Sequence, residues 1–89
     1  MPLTSTQRNQ IASYKVRLEG LRKDLNTLKE EKKRKSQYYA ERIKSTSDAN
    51  YKRTLRQSKI SDVNSIVNRI ENKKREIESV KTSIQSIRR

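Results

Sequence analysis

Two stretches of this 89-residue chain carry apolar residues separated by alternating steps of three and four. That spacing keeps side chains on one stripe of an α-helix, and we call the two stripes the first and second seams. The first seam comprises Ile11, Tyr14, Leu18, Leu21, Leu25 and Leu28, and the second comprises Val63, Ile66, Ile70, Ile77, Val80, Ile84 and Ile87. Lys73 occupies the only position of the second seam that is not apolar. Because each stripe needs an apolar partner, the pattern predicts two helices that pack on each other.

Composition points to the same fold class. Only 29% of the residues are apolar, and the chain has one glycine and one proline. Average globular domains are about 45–50% apolar, so a closed multilayer core is not expected here. Few helix breakers and long periodic stretches favour long helices over strands. The sequence therefore predicts an all-α protein.

The turn between the helices is predicted at residues 45–50, the only internal cluster of turn and cap residues, in which Ser47 or Asp48 could cap the second helix. Helix one is then expected over about 5–44 and helix two over about 51–88. If the chain folds back there, residues whose numbers sum to about 98 face each other, and the first seam meets apolar residues of the second at five of its six levels. Leu25 instead meets Lys73, whose alkyl stem can cover it. The prediction is an antiparallel coiled-coil hairpin forming a single domain.

Further association is also expected. Ile60 and Val67 lie beside the second seam and widen its apolar stripe, as a helix with more than one neighbour requires. We therefore predict a homo-oligomer or a bundle with partner helices. The seam is still in phase at Ile87, with no stop signal after it, which suggests an N-terminal piece of a longer protein.

The middle of the chain is strongly basic. Residues 32–59 contain ten basic and two acidic side chains, which is +8 of the chain's +13. On a hairpin this charge gathers at the loop end, where it could contact nucleic acid, an anionic membrane surface, an acidic protein or neighbouring subunits, or simply keep the hairpin soluble. Exposed tyrosines there could stack on bases. The candidate contact residues are Lys32, Lys33, Arg34, Lys35, Tyr38, Arg42, Lys44, Tyr51, Lys52, Arg53, Arg56 and Lys59.

No enzyme is expected. The chain has no cysteine and no histidine, so thiol nucleophiles and the common transition-metal ligands are missing. We predict no catalytic residue, cofactor, metal or small-molecule substrate. The start lacks the order of a secretory signal, and no apolar run is long enough to cross a membrane, so a cytoplasmic location is expected.

The layout resembles the N-terminal coiled-coil segment that precedes the TIR domain in many bacterial TIR proteins. The resemblance covers the whole chain, and it is carried by the Met-Pro-Leu-Thr-Ser-Thr-Gln-Arg-Asn-Gln start, the Leu- and Lys-rich first helix, the bend at 43–47, Leu55-Arg56-Gln57 and the helix from Ile70 to Ile77. It implies a self-association segment of a signalling or defence protein. The NAD-cleaving activity of that family belongs to the TIR domain, so no catalytic residue is implied here.

The predicted function is therefore non-catalytic self-association or scaffolding. One alternative is a basic helical hairpin that binds nucleic acid. Another is a small helical partner of a secretion system, because the size and shape are similar to those of type VII secretion partners. Those proteins carry Trp-x-Gly at the bend, which this chain lacks.

Overall fold

The computed structural model describes residues 2–89 and consists of two long helices. Helix α1 spans Ser5–Ser45 and helix α2 spans Ala49–Arg88. The second helix folds back along the first to give a rod with principal extents of 69 × 15 × 12 Å. The described residues contain no strand. The predicted all-α antiparallel hairpin is confirmed.

Helix α1 begins at a complete capping box. The Thr4 hydroxyl accepts a hydrogen bond from the backbone N–H of Gln7 at 3.1 Å, and the Gln7 side chain accepts one from the Thr4 N–H at 2.9 Å. Each bond satisfies a backbone donor that has no partner inside the helix. The hydroxyl-rich start therefore places the first residue of the helix at Ser5, as predicted.

The bend is shorter than predicted. Only residues 46–48 lie outside the helices, so the predicted bend of 45–50 was too long at both ends. Asp48 explains the early start of α2, since its carboxylate accepts hydrogen bonds from the backbone N–H groups of Asn50 and Tyr51. At the other end the Ser45 hydroxyl donates to the Glu41 carbonyl at 3.0 Å, as a helical serine can. A connection this short keeps the two helices adjacent, and the packing of their seams lays α2 along α1.

The seams form the core of the hairpin, in two apolar clusters. The larger cluster lies toward the termini and contains the buried residues Ile11, Leu18, Leu21, Ile77, Val80 and Ile84. The smaller lies closer to the bend and contains Leu28, Ile66 and Ile70. Leu25 is partly buried and packs against both. Tyr14 and Ile87 are also partly buried against the larger cluster, and Val63 is half-buried.

Lys73 lies at the boundary between the clusters, facing α1. Its ammonium is 3.6 Å from the Asp24 carboxylate across the helix pair and 3.9 Å from Glu76 on its own helix. One level closer to the bend, Arg69 lies 4.0 Å from Glu31. Both cross-helix pairs lie within about two residues of the predicted register, so the seam spacing places the helices correctly along each other.

Among residues 2–89, neither helix has a stretch of length and hydrophobicity suited to spanning a lipid bilayer.

Candidate interaction surfaces

The hairpin presents two broad faces, one on each side of the plane that contains the helix axes. The face that we call the mixed face carries two adjoining grooves and both signs of charge. The grooves share Thr27 and Glu31. The mixed face comprises Asp24, Thr27, Glu31, Arg34, Lys35, Tyr38, Arg69 and Lys73. Its two carboxylates lie beside Lys73 and Arg69, so positive and negative charges alternate over the surface.

The opposite side, which we call the basic face, has a different composition. One groove there is lined by Lys29, Lys32, Val67, Ile70, Glu71 and Lys74. Steps of seven residues, nearly two helical turns, add further members to the same side. In full, the basic face comprises Lys15, Arg22, Lys29 and Lys32 on α1, and Ile60, Val63, Val67, Glu71, Lys74, Glu78 and Lys81 on α2.

The basic face also carries apolar side chains that the core of the hairpin does not fully bury. Ile60 is 60% exposed, and Val63 and Val67 are half-buried. These three residues form a strip along α2 beside the buried Ile66 and Ile70. The apolar surface beside the second seam that the sequence indicated is therefore present, on one face only.

A cluster of tyrosines around Arg42 lies near the bend. The Arg42 guanidinium donates hydrogen bonds to the hydroxyl oxygens of Tyr38 at 2.8 Å and Tyr51 at 3.2 Å. It also lies 5.3 Å from the centre of the Tyr38 ring, within the range of a cation–π contact. The hydrogen bond to Tyr51 and the nearby phenol of Tyr38 raise the pKa of Arg42 above its ordinary value. Arg42 therefore ties the two helices together, and one face of the Tyr38 ring is already occupied.

Tyr39 joins the helices by a contact that the sequence reasoning missed. Its ring is buried against α2, and its hydroxyl donates a hydrogen bond to the Asp62 carboxylate across the pair. The hydrogen bond to Asp62, followed by desolvation and the carboxylate's charge, raises the pKa of Tyr39 above 10.0. A signal was available, because Asp62 lies four residues before Ile66, in phase with the second seam and nearly opposite Tyr39.

The predicted basic contact residues occupy the third of the rod nearest the bend, but they do not form one patch. Lys32 lines the basic face, whereas Arg34 and Lys35 line the mixed face. All the candidates are exposed except Lys52 and Lys59, which are half-buried. No residue between 32 and 59 takes part in an ion pair with any described residue of the chain. Their charge is therefore available to an external anion on both faces.

The hydrogen bond between Tyr39 and Asp62 should make the stability of the hairpin depend on pH. Because the folded chain holds the phenol proton more tightly, the contact contributes stability below pH 10 and loses it as the pH rises through the raised pKa. We expect the free energy of unfolding to fall more between pH 8 and pH 11 in the native chain than in Tyr39→Phe, as measured by urea unfolding. Tyr14→Phe is the control, because Tyr14 has no hydrogen-bonded carboxylate among residues 2–89. Equal losses in the native chain and Tyr39→Phe would show that the contact contributes nothing.

Neither face contains a group of three or more acidic side chains that could hold a metal ion, within the part of the chain that the structure describes. Searches against protein-family models, curated proteins and solved structures found no match to this chain. The surfaces themselves therefore carry the functional argument.

Proposed function

We propose that the chain is a non-catalytic self-association and scaffolding module. The observation that carries this proposal is the mixed face, where charges of both signs alternate around exposed aromatic surface. A twofold dimer brings the same patch of each copy together, so a patch with both signs can be complementary to itself. Tyr38, 49% exposed, adds the kind of side chain that is enriched at interfaces.

The size of the surface supports the proposal. The chain exposes 7005 Å², whereas a compact monomer of 10.5 kDa is expected to expose about 5,400 Å². One face of a rod measuring 69 × 15 Å offers roughly 1,000 Å², and a stable interface buries about 800 Å² on each partner. One face of the hairpin is therefore large enough to form a stable interface while the two helices stay packed on each other.

Light scattering tests the proposal. We expect the native chain at about 0.3 M salt, where the repulsion arising from its +13 charge is screened, to have a mass that is a multiple of 10.5 kDa. Glu31→Lys removes one of two carboxylates from the mixed face and should give a monomer. It costs the fold little, because the Arg69 pair is long and exposed.

Glu78→Lys is the matched control, because it makes the same charge change at a 72% exposed side chain on the other side of the rod. It should leave the mass unchanged. A monomeric native chain at both low and high salt would contradict self-association. Equal effects of Glu31→Lys and Glu78→Lys would instead show that net charge, rather than the mixed face, sets the mass.

The resemblance to segments that precede TIR domains extends this proposal to a biological setting, in which the hairpin would assemble a bacterial signalling or defence protein in the cytoplasm. The self-associating role that the resemblance implies is the role that the mixed face favours.

Binding of nucleic acid is the second candidate function, and the uncompensated charge of residues 32–59 favours it. Lysine and arginine that neutralise phosphates release counterions, so such binding weakens steeply as salt rises. The tyrosines near the bend are less available for stacking on bases than the sequence suggested. Arg42 covers one face of the Tyr38 ring and binds the Tyr51 hydroxyl, which restricts the stacking that bases would need.

A further inference from the structure

We propose that the basic face is a docking site for an acidic amphipathic helix of another protein. The site is the groove between α1 and α2 on that face, extended along the Ile60, Val63 and Val67 strip. This surface is separate from the mixed face, so the inference does not depend on the self-association proposed above.

Apolar surface along the groove calls for a helix. The buried Ile70 and the half-buried Val67 lie in the groove, and the exposed Ile60 continues the strip one heptad toward the bend. Residues 60, 63 and 67 follow the helical steps of three and four, so a third helix could lay an apolar stripe along them. The result would be a three-helix bundle with a wider core than the hairpin has alone.

Charge around the strip determines the chemistry of the partner. Lys29 and Lys32 border the groove on α1, and neither has an ion pair within residues 2–89. On the α2 side Lys74 lies 3.7 Å from Glu71, which offsets part of its charge. Lys15 and Arg22 continue the row on α1 at heptad steps of about 10.5 Å, beyond the apolar strip and toward the termini. A helix with glutamates beside its apolar stripe would meet this row with opposite charge along its length.

Two other occupants fit these observations less well. A second copy bound by the same face would bring together two surfaces that each carry six basic and two acidic side chains, and this excess of positive charge repels. A nucleic acid would satisfy the lysines but would place phosphates against the Ile60 and Val67 side chains, which gain nothing from them. An acidic helix uses both the charge and the apolar strip.

A synthetic peptide can test the site. The probe is a fluorescent three-heptad helix with Leu at positions a and d and Glu at e and g, whose glutamates oppose its own association at neutral pH. We expect saturable binding by fluorescence anisotropy. Ile60→Ser with Val67→Ser should weaken it about tenfold or more, and Lys29→Gln with Lys32→Gln should both weaken it and reduce its salt dependence.

Matched controls separate the site from general attraction to a basic protein. A peptide with Lys in place of every Glu should not bind. Lys23→Gln with Arg75→Gln removes two charges from the outer sides of the helices and should leave the affinity unchanged. Circular dichroism of each variant confirms that the hairpin persists, since the substituted side chains lie outside its buried core.

Two results would overturn the inference. In the first, duplex DNA of about 20 base pairs binds more tightly than the acidic peptide and binds the Ile60→Ser, Val67→Ser variant equally well, which identifies the face as a phosphate surface. In the second, the chain alone is an oligomer that this variant dissociates, which makes a second copy the occupant. Neither result depends on Glu31, so failure of this site and failure of self-association through the mixed face are distinguishable.

Discussion

Leu21→Asp is expected to unfold the hairpin. Leu21 is 7% exposed in the larger apolar cluster, where Ile77 lies on the facing helix. The substitution removes apolar burial and places a carboxylate in a site without a hydrogen-bond donor, at a combined cost of about 5 kcal/mol or more. Small domains are stable by about 5–15 kcal/mol, and a two-helix rod with eleven buried residues among residues 2–89 belongs at the lower end. We expect far-UV circular dichroism to lose most of its helical signal at 25 °C.

Ile77→Asp should have the same effect from the other helix, because both residues belong to one cluster. Val16→Asp is the matched control. Val16 lies on the same helix as Leu21 but is 72% exposed, so the same change from an apolar side chain to a carboxylate should leave the helical signal intact. A Leu21→Asp protein that kept its helicity and thermal midpoint would show that the seams do not hold the hairpin together.

Much of the fold was predictable from the seams because one periodic pattern determines three properties at once. Steps of three and four specify a helix, the two seams require each other, and the cap residues between them allow the chain to fold back. Leu18 and Val80, predicted to face each other, lie in the same buried cluster. The register could be predicted because the seams match at five of the six levels of the first seam when Leu21 lies near Ile77.

The details that escaped prediction depend on single polar contacts. The cap was predicted at Ser47 or Asp48, and Asp48 is the cap, but α2 begins directly after it at Ala49 rather than at about 51. The Tyr39 to Asp62 hydrogen bond was missed because the seams were defined by apolar residues alone. Such hydrogen bonds leave little trace in the apolar periodicity of the sequence. They nevertheless set where α2 begins and how Tyr39 packs against it.

The interaction surfaces were predicted in composition but not in arrangement. Ten basic residues between 32 and 59 suggested one basic tip, yet neighbouring positions on a helix lie about 100° apart and face different directions. Lys32 and Lys35 consequently line opposite faces. Asp24 and Glu31 lie on the mixed face and Glu71 lies on the basic face, so the faces differ in how many basic side chains surround their carboxylates. A count of charge along the chain does not show this division, which appears only when each charge is placed relative to the seam.

Lys73→Leu is expected to stabilise the hairpin. Lys73 takes a seam position between the two clusters, with 30% of its side chain exposed. Its ion pairs with Asp24 and Glu76 lie at the surface, where such pairs contribute about 0–1 kcal/mol, whereas burying a leucine contributes about 1.5–3 kcal/mol. The carboxylates left behind are 61% and 45% exposed and keep their hydration. The difference between these two contributions should raise the free energy of unfolding by about 1 kcal/mol when leucine replaces Lys73.

The gain should appear as a rise of about 4–8 °C in the thermal midpoint of unfolding. The midpoint is measured by circular dichroism at low protein concentration, so that association does not contribute to it. Lys23→Leu is the matched control, because Lys23 also pairs with a carboxylate, Glu19 at 3.8 Å, but its side chain is 77% exposed and away from the seam. It should leave the midpoint nearly unchanged. If Lys73→Leu lowered the midpoint, the pairs with Asp24 and Glu76 would outweigh apolar burial, and the lysine would be a stabilising part of the seam. A rise confined to Lys73→Leu would instead show that the hairpin gives up stability at this level, where continuous apolar packing would join its two clusters into one core.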